Sequence, residues 1–140
     1  MTGSTATVHE KRIPIRWRDM DALAHVNNAV YLNYLEEVRD EWLIRILGPG
    51  ADPFNFVIAR VAIDFRRQLR KEDGVVVATC TLAGVGRSSI QTREVLRTPA
   101  DAVVAEASSV LVSWNRQTDA TRPLAAAERA ALERDLAPKA

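Results

Sequence analysis

The chain has 140 residues, of which 47% are hydrophobic and 26% charged, the size and composition of one globular domain. Its 19 basic and 18 acidic residues give a net charge of +1, which argues against a general nucleic-acid-binding protein. The single cysteine excludes an intrachain disulfide, and no apolar run approaches the roughly 18 residues that span a membrane. We therefore expect one domain over residues 1–140, cytoplasmic and bound to neither nucleic acid nor membrane.

The N-terminal part predicts a short leader and one strand. Residues 1–7 are small and polar, so disorder is expected there, and they lack the apolar core of a signal peptide. Ile13, Ile15 and Trp17 alternate with arginines, which is the period of a half-buried strand. Because Pro14 has no N–H to donate, this strand is expected to lie at a sheet edge or to begin there.

One long helix follows a polar connector at residues 19–27. Asn27 or Asn28 can serve as the N-cap, and Gly48 and Pro49 end the helix. Between them, apolar residues recur at helical spacing, namely Leu32, Leu35, Val38, Trp42 and Ile46.

Four strand-like stretches come next, at residues 56–66, 74–84, 88–97 and 102–114. The short polar turns between them favour antiparallel hairpins. In the second stretch, Cys80 is expected to be a small buried hydrophobe. A loop at 115–123 and a terminal helix at 124–136 complete an α+β arrangement, in which the uncovered sheet face and edges favour a homo-oligomer.

Candidates for chemistry lie between the first strand and the helix. Asp19 and Asp21 precede the helix N-terminus by a few residues. The unpaired N–H groups and dipole of a first helical turn can stabilise a carbonyl oxygen that gains negative charge. A nearby carboxylate can attack that carbonyl or activate a water molecule. The segment can therefore supply both halves of an acyl-transfer site, although an isolated aspartate pair more often only caps a turn.

Other kinds of site have less support. A metal site on Asp19, Asp21 and His25 lacks a further ligand, because His9 is the only other histidine. No serine lies in a G-x-S-x-G elbow, which argues against a Ser–His–Asp triad. The glycine-rich segment at residues 84–89 lacks the third glycine of a dinucleotide loop and predicts a β-turn. No metal or cofactor is expected.

Residues 19–37 resemble the signature of hotdog-fold thioesterases of the 4-hydroxybenzoyl-CoA thioesterase family. That signature is D-x-D-x-x-G-H-V-N-N followed by A-x-Y-L-x-Y-x-E-E, and this chain has DMDALAHVNN followed by AVYLNYLEE. The likeness covers residues 8 to roughly 116. It implies an α+β hotdog fold, with an antiparallel sheet wrapped around one long central helix. It also implies a homodimer or homotetramer that hydrolyses an acyl-CoA to the free acid and CoA.

The resemblance implies a role for several residues. Asp21 would be the nucleophile or general base, and amides near the helix start would polarise the thioester carbonyl. The implied substrate-binding residues are His25, Asn27, Asn28, Val30 and Tyr31, with Tyr31 lining the acyl pocket. A basic residue and a serine at the turn between the third and fourth strands would bind the CoA phosphates, which indicates Arg87, Ser88 and Ser89.

One departure from the signature and three alternatives stay open. Ala24 stands where the family usually has glycine, so Ala24 would be strained if that position needs a positive φ. The arginine-rich stretch at residues 66–71 is either a solvated strand end or a means of steering an anionic cofactor. The chain could instead act on acyl carrier protein, which is acidic and would favour a basic rim. It could also be a non-catalytic acyl-binding protein, whereas a hotdog dehydratase fits the residues less well.

Overall fold

The computed structural model describes residues 6–49, 52 and 55–136. Most of the expected leader at residues 1–7 lies outside the described residues. Within them, no helix is long and apolar enough to cross a lipid bilayer. The elements in chain order are β1 (Val8–Pro14), α1 (Asn28–Leu47), β2 (Phe56–Phe65), β3 (Val75–Val85), β4 (Ser89–Arg97), β5 (Val103–Asn115), β6 (Ala120–Thr121) and α2 (Ala126–Leu136).

The strands form one antiparallel sheet in the order β1-β3-β4-β5-β2, with β6 added beside β5. β3, β4 and β5 form the expected hairpins. The expected hairpin between the second and third strands is wrong, because β1 and β4 occupy both sides of β3. β2 pairs with β5 at the opposite edge instead. Residues 66–74 therefore form a crossover that carries the chain from one edge of the sheet to its interior.

The first strand begins and ends earlier than the sequence indicates. β1 covers Val8–Pro14 and lies at the sheet edge, as Pro14 predicts, but Pro14 ends the strand and does not begin it. Ile13 and Ile15 are buried, whereas Trp17 is 80% exposed and lies in a 3₁₀ turn. The chain turns after Pro14, so the alternation of Trp17 with the arginines does not correspond to strand geometry.

The long helix packs against β1, β3 and β4 and supplies much of the core. It spans 20 residues from Asn28, with Asn27 as the N-cap, and ends at Gly48, whose φ of 99° suits glycine. The expected apolar face is wrong at Leu32, which is 45% exposed. Tyr31 and Tyr34 are buried instead, because the aromatic rings extend the face formed by Leu35, Val38 and Trp42.

Strand β4 shows the predicted alternation, but one of its inward positions is charged. Ile90, Thr92, Glu94 and Leu96 are buried. The fully buried Glu94 pairs with Arg39 of α1 at 3.3 Å, and the hydroxyl of Ser109 also donates to Glu94. Cys80 is buried as expected, and this burial raises the pKa of its thiol.

Candidate active site

A short loop positions Asp21 just before α1. The Asp21 N–H donates to the His25 carbonyl at 2.8 Å, and Met20 and Val26 form a bridge that closes the loop. One carboxylate oxygen of Asp21, Oδ1, accepts the N–H groups of Leu23 at 2.8 Å and His25 at 3.3 Å. Among the described residues, Oδ2 has no hydrogen-bond partner. The turn therefore fixes the carboxylate and leaves one oxygen able to act on a substrate or a water molecule.

The other aspartate of the pair has a structural environment. Asp19 is only 6% exposed, and its Oδ2 accepts the hydroxyl of Tyr34 at 2.7 Å and the N–H of Arg16 at 2.9 Å. Burial and the bond to Asp19 raise the pKa of Tyr34, so its hydroxyl stays a donor. Asp19 thus ties the loop to α1, whereas Asp21 is partly exposed.

The helix start offers fewer free amides than expected. The Asn27 side chain accepts the N–H of Ala29 at 2.9 Å, and the Asn27 carbonyl accepts that of Val30 at 2.9 Å. Within the described ranges, the amide of Asn28 has no hydrogen-bond partner, unlike the amides of Ala29 and Val30. Asn27 acts as a cap, and Asn28 supplies the N–H that a developing oxyanion can use.

A cleft of about 440 Å³ lies beside Asp21 and the start of α1. Its lining includes both apolar and charged side chains. The lining residues are Asp21, Leu23, His25, Val26, Asn28, Tyr31, Phe65, Arg66, Arg67 and Gln68. Leu23 is 73% exposed and Phe65 49% exposed, so both present apolar surface to solvent. The cleft can accept an apolar chain next to a carboxylate, with cations at its rim.

Within the described residues, no three His, Cys, Asp or Glu side chains are grouped closely enough to hold a metal ion.

Tyr31 lies in the cleft wall and is only 3% exposed. Its hydroxyl forms hydrogen bonds with the backbone of the crossover at residues 66–74. That hydroxyl accepts the N–H of the buried Leu69 at 3.0 Å and donates to the Arg67 carbonyl at 3.4 Å. The Leu69 carbonyl in turn accepts the N–H of Val26 at 2.8 Å. Tyr31 therefore connects the helix, the crossover and the Asp21 loop.

Replacing Tyr31 with Phe is expected to lower the free energy of unfolding by about 1–3 kcal/mol, because the buried Leu69 N–H loses its acceptor. Chemical denaturation of both proteins measures this difference. An unchanged midpoint and slope would show that the hydroxyl does not brace the crossover.

The position of Ala24 does have the positive φ that would strain an alanine. Its φ is 62°, in the left-handed region that costs most L-residues about 1–2 kcal/mol. We expect Ala24→Gly to raise the free energy of unfolding by roughly 0.5–1 kcal/mol. This net gain is the relief of strain minus the cost of the entropy that glycine adds to the unfolded chain. Ala22→Gly in the same loop is the matched control, since Ala22 has no positive φ. The Ala22→Gly variant should be less stable than the wild type. Equal effects of the two substitutions would show that Ala24 is not strained.

The expected CoA-binding residues do not reach this cleft within one chain. Phe65 at the cleft pairs with Ala105, and Ser89 pairs with Val112 seven residues further along β5, which is about 23 Å at the strand rise. Arg87, Ser88 and Ser89 therefore lie at the opposite end of the sheet from Asp21. Of the residues implied by the resemblance, Asp21, His25, Asn28 and Tyr31 line the cleft, whereas Asn27 and Val30 are not among its lining residues. Arg87, Ser88 and Ser89 lie apart from it.

The cleft also contains residues that sequence reasoning did not single out. Leu23 and Val26 are its apolar loop residues, and Phe65 arrives from the end of β2. The pairing of β2 with β5 is long-range, so no local signal in the sequence connects Phe65 with Asp21.

Residues 15–136 match the family model of the thioesterase-like superfamily. The chain belongs to this superfamily. The match includes the Asp21 loop, all of α1 and the strands β2 to β5. With the antiparallel sheet packed on one long helix, it confirms the expected hotdog fold and the expected thioester hydrolase.

Several known proteins resemble the chain over nearly its whole length. It is 28% identical to the long-chain acyl-CoA thioesterase FadM of Escherichia coli (strain K12), over 89% of this chain and 96% of FadM. A thioesterase from Thermus thermophilus, solved in complex with coenzyme A and Zn, is 29% identical, with a TM-score of 0.80 and 96% of each chain covered. The probable thioesterase YbaW from Escherichia coli is 28% identical, with a TM-score of 0.74 over 92% of this chain and 99% of YbaW.

Proposed function

We propose that this protein is an acyl-CoA thioesterase in which Asp21 is the catalytic carboxylate. One observation carries the proposal. Asp21 has a carboxylate oxygen, and Asn28 a backbone amide, without a hydrogen-bond partner among the described residues, and both residues line the same cleft. The likeness to FadM and to a thioesterase solved with coenzyme A supports CoA as the carrier of the acyl group.

Asp21 can act in either of two ways. As a general base, it takes a proton from water, whose oxygen attacks the thioester carbon. As a nucleophile, it attacks that carbon itself and forms a mixed anhydride, which water then hydrolyses. Both routes break the carbon–sulfur bond, release CoA thiolate and yield the free acid. In both, the negative charge on the carbonyl oxygen is stabilised by the Asn28 amide and the positive end of the α1 dipole.

Neighbouring residues position the Asp21 carboxylate and the Asn28 amide. The amide of His25 helps to hold the Asp21 carboxylate, and its imidazole lines the cleft. Asn27 caps α1 by binding the amides of Ala29 and Val30, which leaves that of Asn28 for the substrate. The acyl chain would lie along Leu23 and Phe65, with Tyr31 as the rigid wall behind them.

A homodimer would bring the two ends of the CoA site together. Strand β2 has a strand partner on one side only among the described residues, and its Val57, Ile58 and Phe65 are exposed. Antiparallel pairing of two β2 strands would place the Phe56 end of one copy beside the Phe65 end of the other. The turn with Arg87, Ser88 and Ser89 of a second copy would then approach the Asp21 cleft, where its arginine and hydroxyls can bind the CoA phosphates.

The assembly is tested by sedimentation equilibrium of the wild-type protein and an Ile58→Lys variant. A dimer or tetramer that the lysine on the β2 edge dissociates would support this arrangement. A monomeric wild type would contradict it.

The carrier specificity is tested by presenting one acyl group on CoA and on acyl carrier protein. The basic rim at Arg66 and Arg67 would suit either carrier, because both are anionic. We expect a higher kcat/KM for the CoA thioester. The opposite order would favour a thioesterase that acts on acyl carrier protein.

A further inference from the structure

The turn between β3 and β4 is held by the C-terminal part of the chain. Its four carbonyl oxygens, from Gly86 to Ser89, all accept hydrogen bonds. The Ser88 carbonyl accepts the N–H of Ser113 at 2.9 Å, and the Ser89 carbonyl accepts the N–H of Gly86 at 2.8 Å. The donors of these two bonds belong to the hairpins themselves. The carbonyls of Gly86 and Arg87, in contrast, accept hydrogen bonds from residues that follow β6.

Arg129 of α2 binds both of those remaining carbonyls. Its Nη2 donates to the Gly86 carbonyl at 2.8 Å and to the Arg87 carbonyl at 3.2 Å. The Leu124 N–H donates to the Arg87 carbonyl as well, at 2.9 Å. The buried side chain of Leu132 anchors α2, so the guanidinium of Arg129 is held over the turn by a packed helix.

This arrangement changes what the turn presents to solvent. Each carbonyl oxygen is a partial negative charge, and all four are engaged with donors of the protein. The amides of Arg87 and Ser88 have no hydrogen-bond partner in the described part of the chain, and the Arg87 side chain is exposed. Consecutive free amides in a turn form a concave site for anions, and an arginine beside them adds charge-assisted bonds.

We infer that Arg129 is a positioning residue that holds the β3–β4 turn in the form that accepts a phosphate of CoA. The inference rests on the proposed function, because it takes the nucleotide end of CoA as the anion. Arg129 would act through the carbonyls of Gly86 and Arg87, which both accept hydrogen bonds from its guanidinium.

The test compares CoA with pantetheine, which lacks the nucleotide and its phosphates. Isothermal titration measures both affinities for the wild type, Arg129→Ala and Arg129→Lys, with Arg134→Ala as the matched control. Arg134 is an exposed arginine of the same helix, so the control removes an equal charge without touching the turn. Turnover of an acyl-pantetheine thioester is measured in parallel.

We expect Arg129→Ala to weaken CoA binding by about five- to tenfold, the effect of losing roughly one hydrogen-bonded contact. Pantetheine affinity and acyl-pantetheine turnover should stay at wild-type values. Arg129→Lys keeps one charged donor, so its CoA affinity should be intermediate, and this result does not depend on the folding of the alanine variant. Arg134→Ala should bind CoA as the wild type does.

Unchanged CoA affinity in both Arg129 variants would overturn the inference, as would equal losses for CoA and pantetheine, which indicate a role in stability alone. A wild type that does not bind CoA would overturn it too. A wild type that binds CoA in an Arg129-dependent way but cleaves no acyl-CoA would support the positioning role while contradicting the proposed function.

Discussion

Asp21→Asn is expected to lower kcat for acyl-CoA hydrolysis by about 10²-fold or more, because an amide can neither take a proton from water nor attack the thioester. The substitution preserves the size of the side chain. Its amide oxygen can still accept the N–H groups of Leu23 and His25, so the loop should keep its shape. Acyl-CoA affinity should change little, and the loss should appear in kcat more than in KM.

Steady-state kinetics and acyl-CoA titration of the purified variant check this prediction. Asp119→Asn is the matched control, since Asp119 is exposed and has a φ of 54°, which asparagine tolerates. The control should retain wild-type kcat. Full activity in Asp21→Asn would move catalysis to another residue of the cleft, whereas a loss shared by both variants would indicate damage unrelated to the carboxylate.

Arg39→Ala is expected to lower the free energy of unfolding by about 3–5 kcal/mol, the range for breaking a buried ion pair from one side. The Arg39 and Glu94 side chains are 6% and 0% exposed. Without the guanidinium, Glu94 retains the bond from the Ser109 hydroxyl, and its Oε2 has no partner among the described residues. A carboxylate in this position would be desolvated without a compensating cation.

Combining Arg39→Met with Glu94→Leu provides the control, because apolar side chains of similar size remove both charges together. Denaturant unfolding should show that this double substitution costs far less than Arg39→Ala. If the two proteins lost the same stability, packing volume and not the uncompensated carboxylate would explain the effect.

Local patterns predicted the elements whose contacts are local. Asn27 and Gly48 fixed the ends of α1, since a cap and a left-handed glycine act on the backbone beside them. The alternation from Ile90 to Leu96 predicted the inward face of β4 correctly, although it did not reveal that Glu94 would find a cation. Arg39 lies on another element, and a buried pair of this kind leaves no pattern in either segment alone.

Local sequence patterns could not predict which strands pair over long distances in the chain. Short turns favour hairpins, yet β2 crosses to pair with β5, because the preceding β1 already occupies the free side of β3. That crossover brings Phe65 and the arginines after it to Asp21, and it requires the brace from Tyr31 to Leu69.

Within the site, the signature indicated the segment but not the state of each polar group. The resemblance implied a catalytic role for Asp21, but it did not predict that Asp19 is buried against Tyr34 while Asp21 lines the cleft. Asn27 binds the amides of Ala29 and Val30, whereas the amide of Asn28 has no partner among the described residues. The distance between Asp21 and Arg87 follows only from the register of the sheet, which also makes a second copy part of the proposed CoA site.

The most direct test of acyl-CoA hydrolysis in the Asp21 cleft is thiol release from short, medium, long and aromatic acyl-CoAs by the wild-type protein, with Asp21→Asn as the background. We predict turnover with at least one class of acyl group and thiol release at the background rate in the variant. Acyl-CoAs that bind to the wild-type protein without any release of thiol would contradict the account and indicate a non-catalytic acyl-binding protein.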